Sequence, residues 1–298
     1  MIKNVDRKTA TIRSIYHGEY GYDMEYNPMT ADLKGRIALV TGGTGMIGGA
    51  AATRLAESGA IVIFWGTKIE AGQKKEEELK KIVPECRFDR IDMTDLSQVK
   101  AGVDRILNDF GRIDILFANA GANFGNRKPL AEYDEKLYDK NIDLNLTSGT
   151  FYLSQLVLPT MIRQNKGSII FTSSVCGQTG LMRQSGFVAS KFAVSALTKS
   201  MALEYAKYNI RVNALLPGSV PQPESGLNVL WDTVTFDDYD KNFENPDSMV
   251  FDIAAKRPGA PLDQAGLVVY LASDDANYTT GQTICVDGGW TCGLSGKY

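Results

Sequence analysis

The sequence predicts an α/β fold: a doubly wound parallel sheet of Rossmann type, in a single domain with an inserted substrate lid. Three observations carry this prediction. Short runs dominated by Ile, Val and Leu recur from residue 36 onward, as in strands buried on both faces. Stretches of helical length separate them. The first run leads directly into a glycine-rich turn that opens a helix, T-G-G-T-G-M-I-G at 41–48.

Residues 1–34 are polar and tyrosine-rich, with no clear period. They read as an N-terminal extension, either packed on the surface or on a neighbouring subunit, or partly disordered. The main domain is expected over 35–298. Its first strand is RIALVT at 36–41, and the helix MIGGAAATRLAESG ends at Gly59. AIVIFW at 60–65 is the second strand, EAGQKKEEELKKIV a charged helix and CRFDRIDM the third strand. The amphipathic LSQVKAGVDRILNDFG leads to a fourth strand, IDILFANAG at 113–121. GSIIFTSS at 167–174, IRVNALLPG at 210–218 and QTICVDGG at 282–289 complete the sheet. Residues 219–256 break this rhythm: the stretch is long, acidic and aromatic. A connection of that length at the carboxyl end of a strand is usually functional or disordered, and its aromatic residues favour a substrate lid.

Composition narrows the function. A net charge of -3 argues against a general nucleic-acid binder. No apolar run reaches bilayer-spanning length, and the N-terminus lacks the apolar stretch of a secretory signal. Four scattered cysteines without a C-x-x-C pair predict a reduced, cytoplasmic protein. One histidine, His17, makes a Ser-His-Asp hydrolase or a multi-histidine metal site a poor fit.

The turn after the first strand suits a pyrophosphate. Gly42 permits a tight bend, Gly45 lets backbone approach a phosphate, and Gly48 lets helix and sheet pack closely. Backbone N–H groups at the helix start, around Thr44, Met46 and Ile47, favour an anion. The second strand ends in Gly66-Thr67-Lys68, without the carboxylate that holds the ribose 2′-OH of NAD. Lys68 could pair with a 2′-phosphate, so NADP(H) is the expected cofactor and NAD(H) the alternative.

These motifs, with several others, resemble the short-chain dehydrogenase/reductase family from about residue 34 to 293. Asn119-Ala120-Gly121 is similar to the family's N-A-G turn, and Asp92-Met93 occupies its adenine-contacting position. Pro217-Gly218, with Val220 beyond it, resembles the turn beside the nicotinamide. Gly281-Gln282 and Val286-Asp287-Gly288-Gly289 resemble the closing strand. Two departures stand out. Met46 occupies a position that is glycine in the shorter members, so the glycine spacing follows the longer ones. The second lies in the catalytic set.

The resemblance implies four catalytic positions. Asp143-Leu144-Asn145-Leu146 supplies the asparagine, Asn145. Thr172-Ser173-Ser174-Val175 supplies the serine, and the family's 13-residue spacing to its tyrosine selects Ser174 over Ser173. That spacing lands on Phe187, which has no hydroxyl. Lys191 follows one helical turn later, on the same face. In the family, the tyrosine moves a proton, the lysine lowers its pKa and holds the nicotinamide ribose, the serine bonds the substrate oxygen, and the asparagine anchors a water chain. Losing the proton carrier is expected to slow the reaction by about 10²–10⁴-fold.

Three accounts of Phe187 follow: a Tyr→Phe variant made to hold substrate, a natural enzyme that takes its proton from water, Ser174 or the substrate, or a non-catalytic nucleotide-binding protein. The first accords best with the retained Asn145, Ser174 and Lys191. The pocket is expected to include Cys176, Gln178, Met182, Arg183, Gln184 and, from the lid, Trp231. With Asn123, Asn126, Arg127 and Lys128, these favour a sugar-like, polyol or hydroxy-acid substrate over a steroid or polyphenol. A nucleotide-sensing regulator, or a lyase or epimerase on the same fold, are the rival functions. The resemblance also implies a homo-oligomer, a tetramer or dimer, through the helix around 187–207 and the C-terminal strand.

Overall fold

The computed structural model describes residues 31–125, 128–220, 253–255 and 259–293. Most of the expected extension, residues 221–252 of the lid with Trp231, and Asn126 and Arg127 lie outside these described residues. The chain divides into two compact units.

The larger unit, Met29–Pro217 with Pro261–Val286, holds a seven-stranded sheet. Its strands are β1 (Ile37–Thr41), β2 (Ile61–Gly66), β3 (Arg87–Arg90), β4 (Ile115–Ala118), β5 (Gly167–Thr172), β6 (Ile210–Pro217) and β7 (Thr283–Val286). They run in the order β3-β2-β1-β4-β5-β6-β7, and every pairing is parallel. This is the expected Rossmann-type sheet. The order reverses between β1 and β4, and in such sheets ligands bind outside the carboxyl ends at that reversal.

Helices cover both faces: α1 (Met46–Glu57), α2 (Ile69–Lys80), α3 (Leu96–Phe110), α4 (Glu135–Ile142), α5 (Leu153–Gln164), α6 (Ser185–Tyr205) and α7 (Pro261–Ala272). Strand side chains alternate between the two cores. Ile37, Leu39, Ile63, Trp65 and Leu116 pack with Val99 and Val103 of α3, Val157 of α5 and Val194 of α6. Ala38, Val40, Val62, Phe64 and Phe117 pack with Leu55 of α1, Leu79 of α2 and Val268 of α7. Asp95 caps α3, accepting from the backbone N–H of Ser97 (3.0 Å) and Gln98 (3.2 Å).

Several boundaries differ from the sequence expectation. The strands are shorter than the segments expected from sequence, since flanking residues form the turns. Leu33, placed in the extension by its sequence, is completely buried, and its N–H donates to the Ser58 carbonyl at 2.8 Å. The helix expected around 187–207 ends at Tyr205, and a 3-10 turn over Ala206–Tyr208 follows it. The smaller unit comprises Met1–Pro28, Gly218–Ala260 and Asp287–Tyr298. Within it, Ala255 N–H donates to Gly288 (2.9 Å), and Asp287 accepts from Gly289 N–H (3.0 Å) and the Thr291 hydroxyl (2.6 Å).

Candidate active site

The glycine turn leaves β1 and enters α1 as the sequence suggests. Gly42 has φ +67°, a left-handed conformation that side chains disfavour. Gly48 faces backbone: a Cβ there would stand 2.8 Å from the Gly42 carbonyl carbon and 2.7 Å from Asn119 Nδ2. Replacing Gly48 by alanine should therefore displace the turn, cost about 1–3 kcal/mol in a denaturant titration and weaken nucleotide binding. The start of α1 carries no side-chain cap and no acidic residue in its first turn, and Gly45 is exposed there. Uncapped N–H groups under an exposed glycine fit a pyrophosphate. Met46 and Ile47 are half-buried.

The N-A-G turn is tied to this loop by Thr41, which is completely buried. Its hydroxyl accepts from the N–H groups of Asn119 and Ala120, both at 3.0 Å. Asn119 Oδ1 in turn accepts from the Thr172 hydroxyl at 3.0 Å. Thr172 closes the circuit, because its carbonyl accepts from Lys191 Nζ at 2.8 Å.

Asn145 sits in a π-helical stretch, Asp143–Tyr152, between α4 and α5. Such turns recur at functional sites. Its side chain clamps Ala122: Oδ1 accepts from the Ala122 N–H and Nδ2 donates to the carbonyl, both at 2.9 Å. Nδ2 also donates to Ser190 Oγ at 3.0 Å, and that hydroxyl donates to the Phe187 carbonyl at 2.7 Å. One glycine leaves room for the assembly. A Cβ on Gly121 would lie 2.7 Å from Asn145 Oδ1 and 3.3 Å from Lys191 Nζ.

Lys191 is only 4% exposed. Burial pulls its pKa down to about 8, opposed by the charge interaction with Cys176. Its Nζ lies 5.7 Å from the centre of the Phe187 ring, so residues 187 and 191 share a face as their spacing predicts. The two serines have different surroundings. Ser173 is buried, and its hydroxyl donates to the Lys191 carbonyl at 2.8 Å. Ser174 is partly exposed, and its oxygen accepts from Cys176 N–H at 3.1 Å. Cys176 is buried, and burial raises its thiol pKa. Arg183, in the segment between Ser174 and Phe187, is exposed with φ +61°. A non-glycine residue held there is the kind of local strain found at ligand clamps.

At the end of β2, the Thr44 side chain lies over Gly66, and Thr67 and Lys68 are exposed. Arg90, which sequence reasoning missed, stands opposite Gly66 in the β2–β3 register and is also exposed. Asp92 is exposed and accepts from Thr94 N–H (2.9 Å) and hydroxyl (2.8 Å), whereas Met93 is buried in the core. Pro217 ends β6, while Gly218 and Val220 belong to the smaller unit. No metal-ligand cluster occurs among the described residues, and no helix there is long and apolar enough to cross a membrane.

Ser190 and Arg90 lacked a sequence signal of their own, and Thr41 and Thr172 stood inside motifs without a role assigned to them. Only Ser190, next to Lys191, could have been singled out by its position on the helix.

A family model for short chain dehydrogenases matches residues 36–225. The chain is 35% identical over 264 residues to a 3alpha-hydroxysteroid dehydrogenase of Mediterraneibacter gnavus, covering 86% of this chain and 97% of that protein. It is 35% identical over 259 residues to a 2-dehydro-3-deoxy-D-gluconate 5-dehydrogenase of Pseudoalteromonas atlantica, covering 87% and 96%. Among solved structures, that of a levodione reductase superposes with a TM-score of 0.78 at 32% identity, covering 88% of this chain and 99% of that one.

Proposed function

The chain belongs to the short-chain dehydrogenase family, and from that premise we propose that it interconverts a secondary alcohol and a ketone with NADP(H), at a rate limited by Phe187. The convergence of Asn145, Lys191 and the N-A-G turn around Gly121 carries this reading. A nicotinamide nucleotide, when bound, supplies hydride exchange with the substrate carbon. The residues around it bind, orient and manage the proton. The uncapped start of α1 would hold the pyrophosphate, and Lys191 the nicotinamide ribose. Ser174 would donate to the substrate oxygen, where charge develops. Phe187 fills the tyrosine position without a proton to give. The Lys191 ammonium, through water, is the remaining charged proton source beside it.

Two observations support NADP(H) over NAD(H). The β2 terminus carries no carboxylate from Gly66 to Lys68, and Arg90 adds a second cation across the register. Exchanging Lys68 and Arg90 for alanine should lower NADP(H) affinity by about tenfold or more, with little change for NAD(H). Equal losses for both cofactors in a fluorescence titration would contradict this assignment.

For the substrate, the polar Asn123, Gln178 and Arg183 support a sugar-like, polyol or hydroxy-acid molecule. A steroid is the second reading, supported by Met182 at 78% exposure and by the similarity to the hydroxysteroid dehydrogenase. Nicotinamide absorbance recorded against sugar acids, polyols, cyclic diketones and steroids separates the two. Binding without net absorbance change across the whole panel would favour a regulator, lyase or epimerase. The exposed Phe151, Tyr152, Phe192 and Leu203 support a homo-oligomer, which light scattering tests.

A further inference from the structure

The opposite edge of the sheet, where the strands begin, borders a cavity of about 730 Å³. It lies at the amino ends of β1, β4, β5 and β6, whereas the glycine turn and Thr172 lie at carboxyl ends. Six charged residues line it: Arg36, Arg112, Lys166 and Arg211 against Asp114 and Asp274. Four cations face two carboxylates, an excess of two positive charges in a chain whose net charge is -3.

Both carboxylates are already engaged. Asp274 accepts from Arg36 Nη2 at 2.6 Å and pairs with Lys166 Nζ at 3.0 Å. Asp114 accepts from Arg112 Nε at 2.9 Å and from Ile37 N–H at 2.9 Å. Arg211 has no carboxylate of its own among the described residues. Its Nη2 donates to the carbonyls of Leu271 (2.7 Å), which also accepts from the Ser168 hydroxyl, and Ser273 (3.0 Å), at the end of α7. That cap accounts for one nitrogen. Nη1 is buried and has no hydrogen-bond partner among the described residues, in a side chain whose residue is only 9% exposed. Burial also works against the charge on Arg211, which an anion alongside would offset.

The surplus of two charges matches a dianion better than a single carboxylate. The volume matches a small organic molecule better than a bare ion. We propose that this cavity binds a small phosphorylated metabolite, with its phosphoryl group against Arg211, Arg36 and Lys166, separately from the hydride-transfer cleft.

Equilibrium dialysis of the full chain against glucose 6-phosphate, inorganic phosphate and glucose tests this. Glucose 6-phosphate should bind once per chain, glucose should not, and excess NADP+ should leave the binding unchanged. Arg211→Gln should weaken it by about tenfold or more. If that variant does not fold, Lys166→Glu, a charge reversal at a half-exposed side chain, should give a similar loss. Binding of inorganic phosphate with equal affinity would support the site and assign it to the free ion. Failure of both phosphorylated probes, displacement by NADP+, or affinity unchanged in every folded variant would overturn the proposal.

Discussion

Replacing Phe187 by tyrosine should raise turnover in carbonyl reduction by about 10²–10⁴-fold, with KM little altered. The ring already stands beside the Lys191 ammonium, 5.7 Å from its centre, so the substitution adds a hydroxyl without asking the helix to move. A positive charge at that range favours the phenolate and brings the tyrosine toward working pH. The phenylalanine ring is only half-buried, so the added oxygen should change stability by less than about 1 kcal/mol. Steady-state nicotinamide absorbance, run on both proteins over the same alcohol and ketone panel, measures the gain. If the tyrosine protein is no faster on any substrate, Phe187 is not what limits this site.

Lys191→Met should abolish activity and, at pH 7, make the protein more stable. Burial lowers the lysine pKa from 10.5 to about 8, a shift worth about 3 kcal/mol against the charged folded state. Losing the bond to the Thr172 carbonyl returns about 1 kcal/mol of that. The net expectation is a gain of about 1–3 kcal/mol in urea unfolding. The sign of the pH dependence follows from proton counting. Between pH 8 and 10.5 the unfolded chain holds more protons at this lysine than the folded one. Stability therefore rises with pH through that window, and the penalty is fully present below it. The methionine protein lacks this rise, so the gap between the two should narrow from pH 7 to pH 10. A methionine protein less stable than its parent at pH 7, or a gap that widens, would show that the buried ammonium is not a cost to the fold. Together the two substitutions separate roles: position 187 governs rate alone, whereas position 191 trades stability for function.

Much of the fold was legible because it is written in local patterns. Alternation along Ile37–Thr41 and Ile61–Gly66 assigns side chains to opposite faces, whatever they later pack against. The turn at Gly42–Gly48 needs glycine for reasons of backbone angle and clearance. The four-residue step from Phe187 to Lys191 is one helical turn wherever the helix lies. Strand ends were less legible: the expected strands run on through 119–121 and 173–174, whereas the hydrogen-bonded ladder ends at Ala118 and Thr172.

By itself, then, the sequence determined a parallel α/β sheet, a glycine-rich strand-turn-helix and the Ser174–Phe187–Lys191 spacing, all properties of segments a few turns long. Tertiary structure alone decided that Ser173 turns inward to the Lys191 carbonyl while Ser174 keeps a partly exposed hydroxyl. It alone brought Arg90 opposite Gly66, and gathered residues from Arg36 to Asp274 around one charged cavity. The physical reason is common to all three: each depends on which distant backbone fills the space beside a side chain, and that is set by the packing of whole elements rather than by periodicity within one.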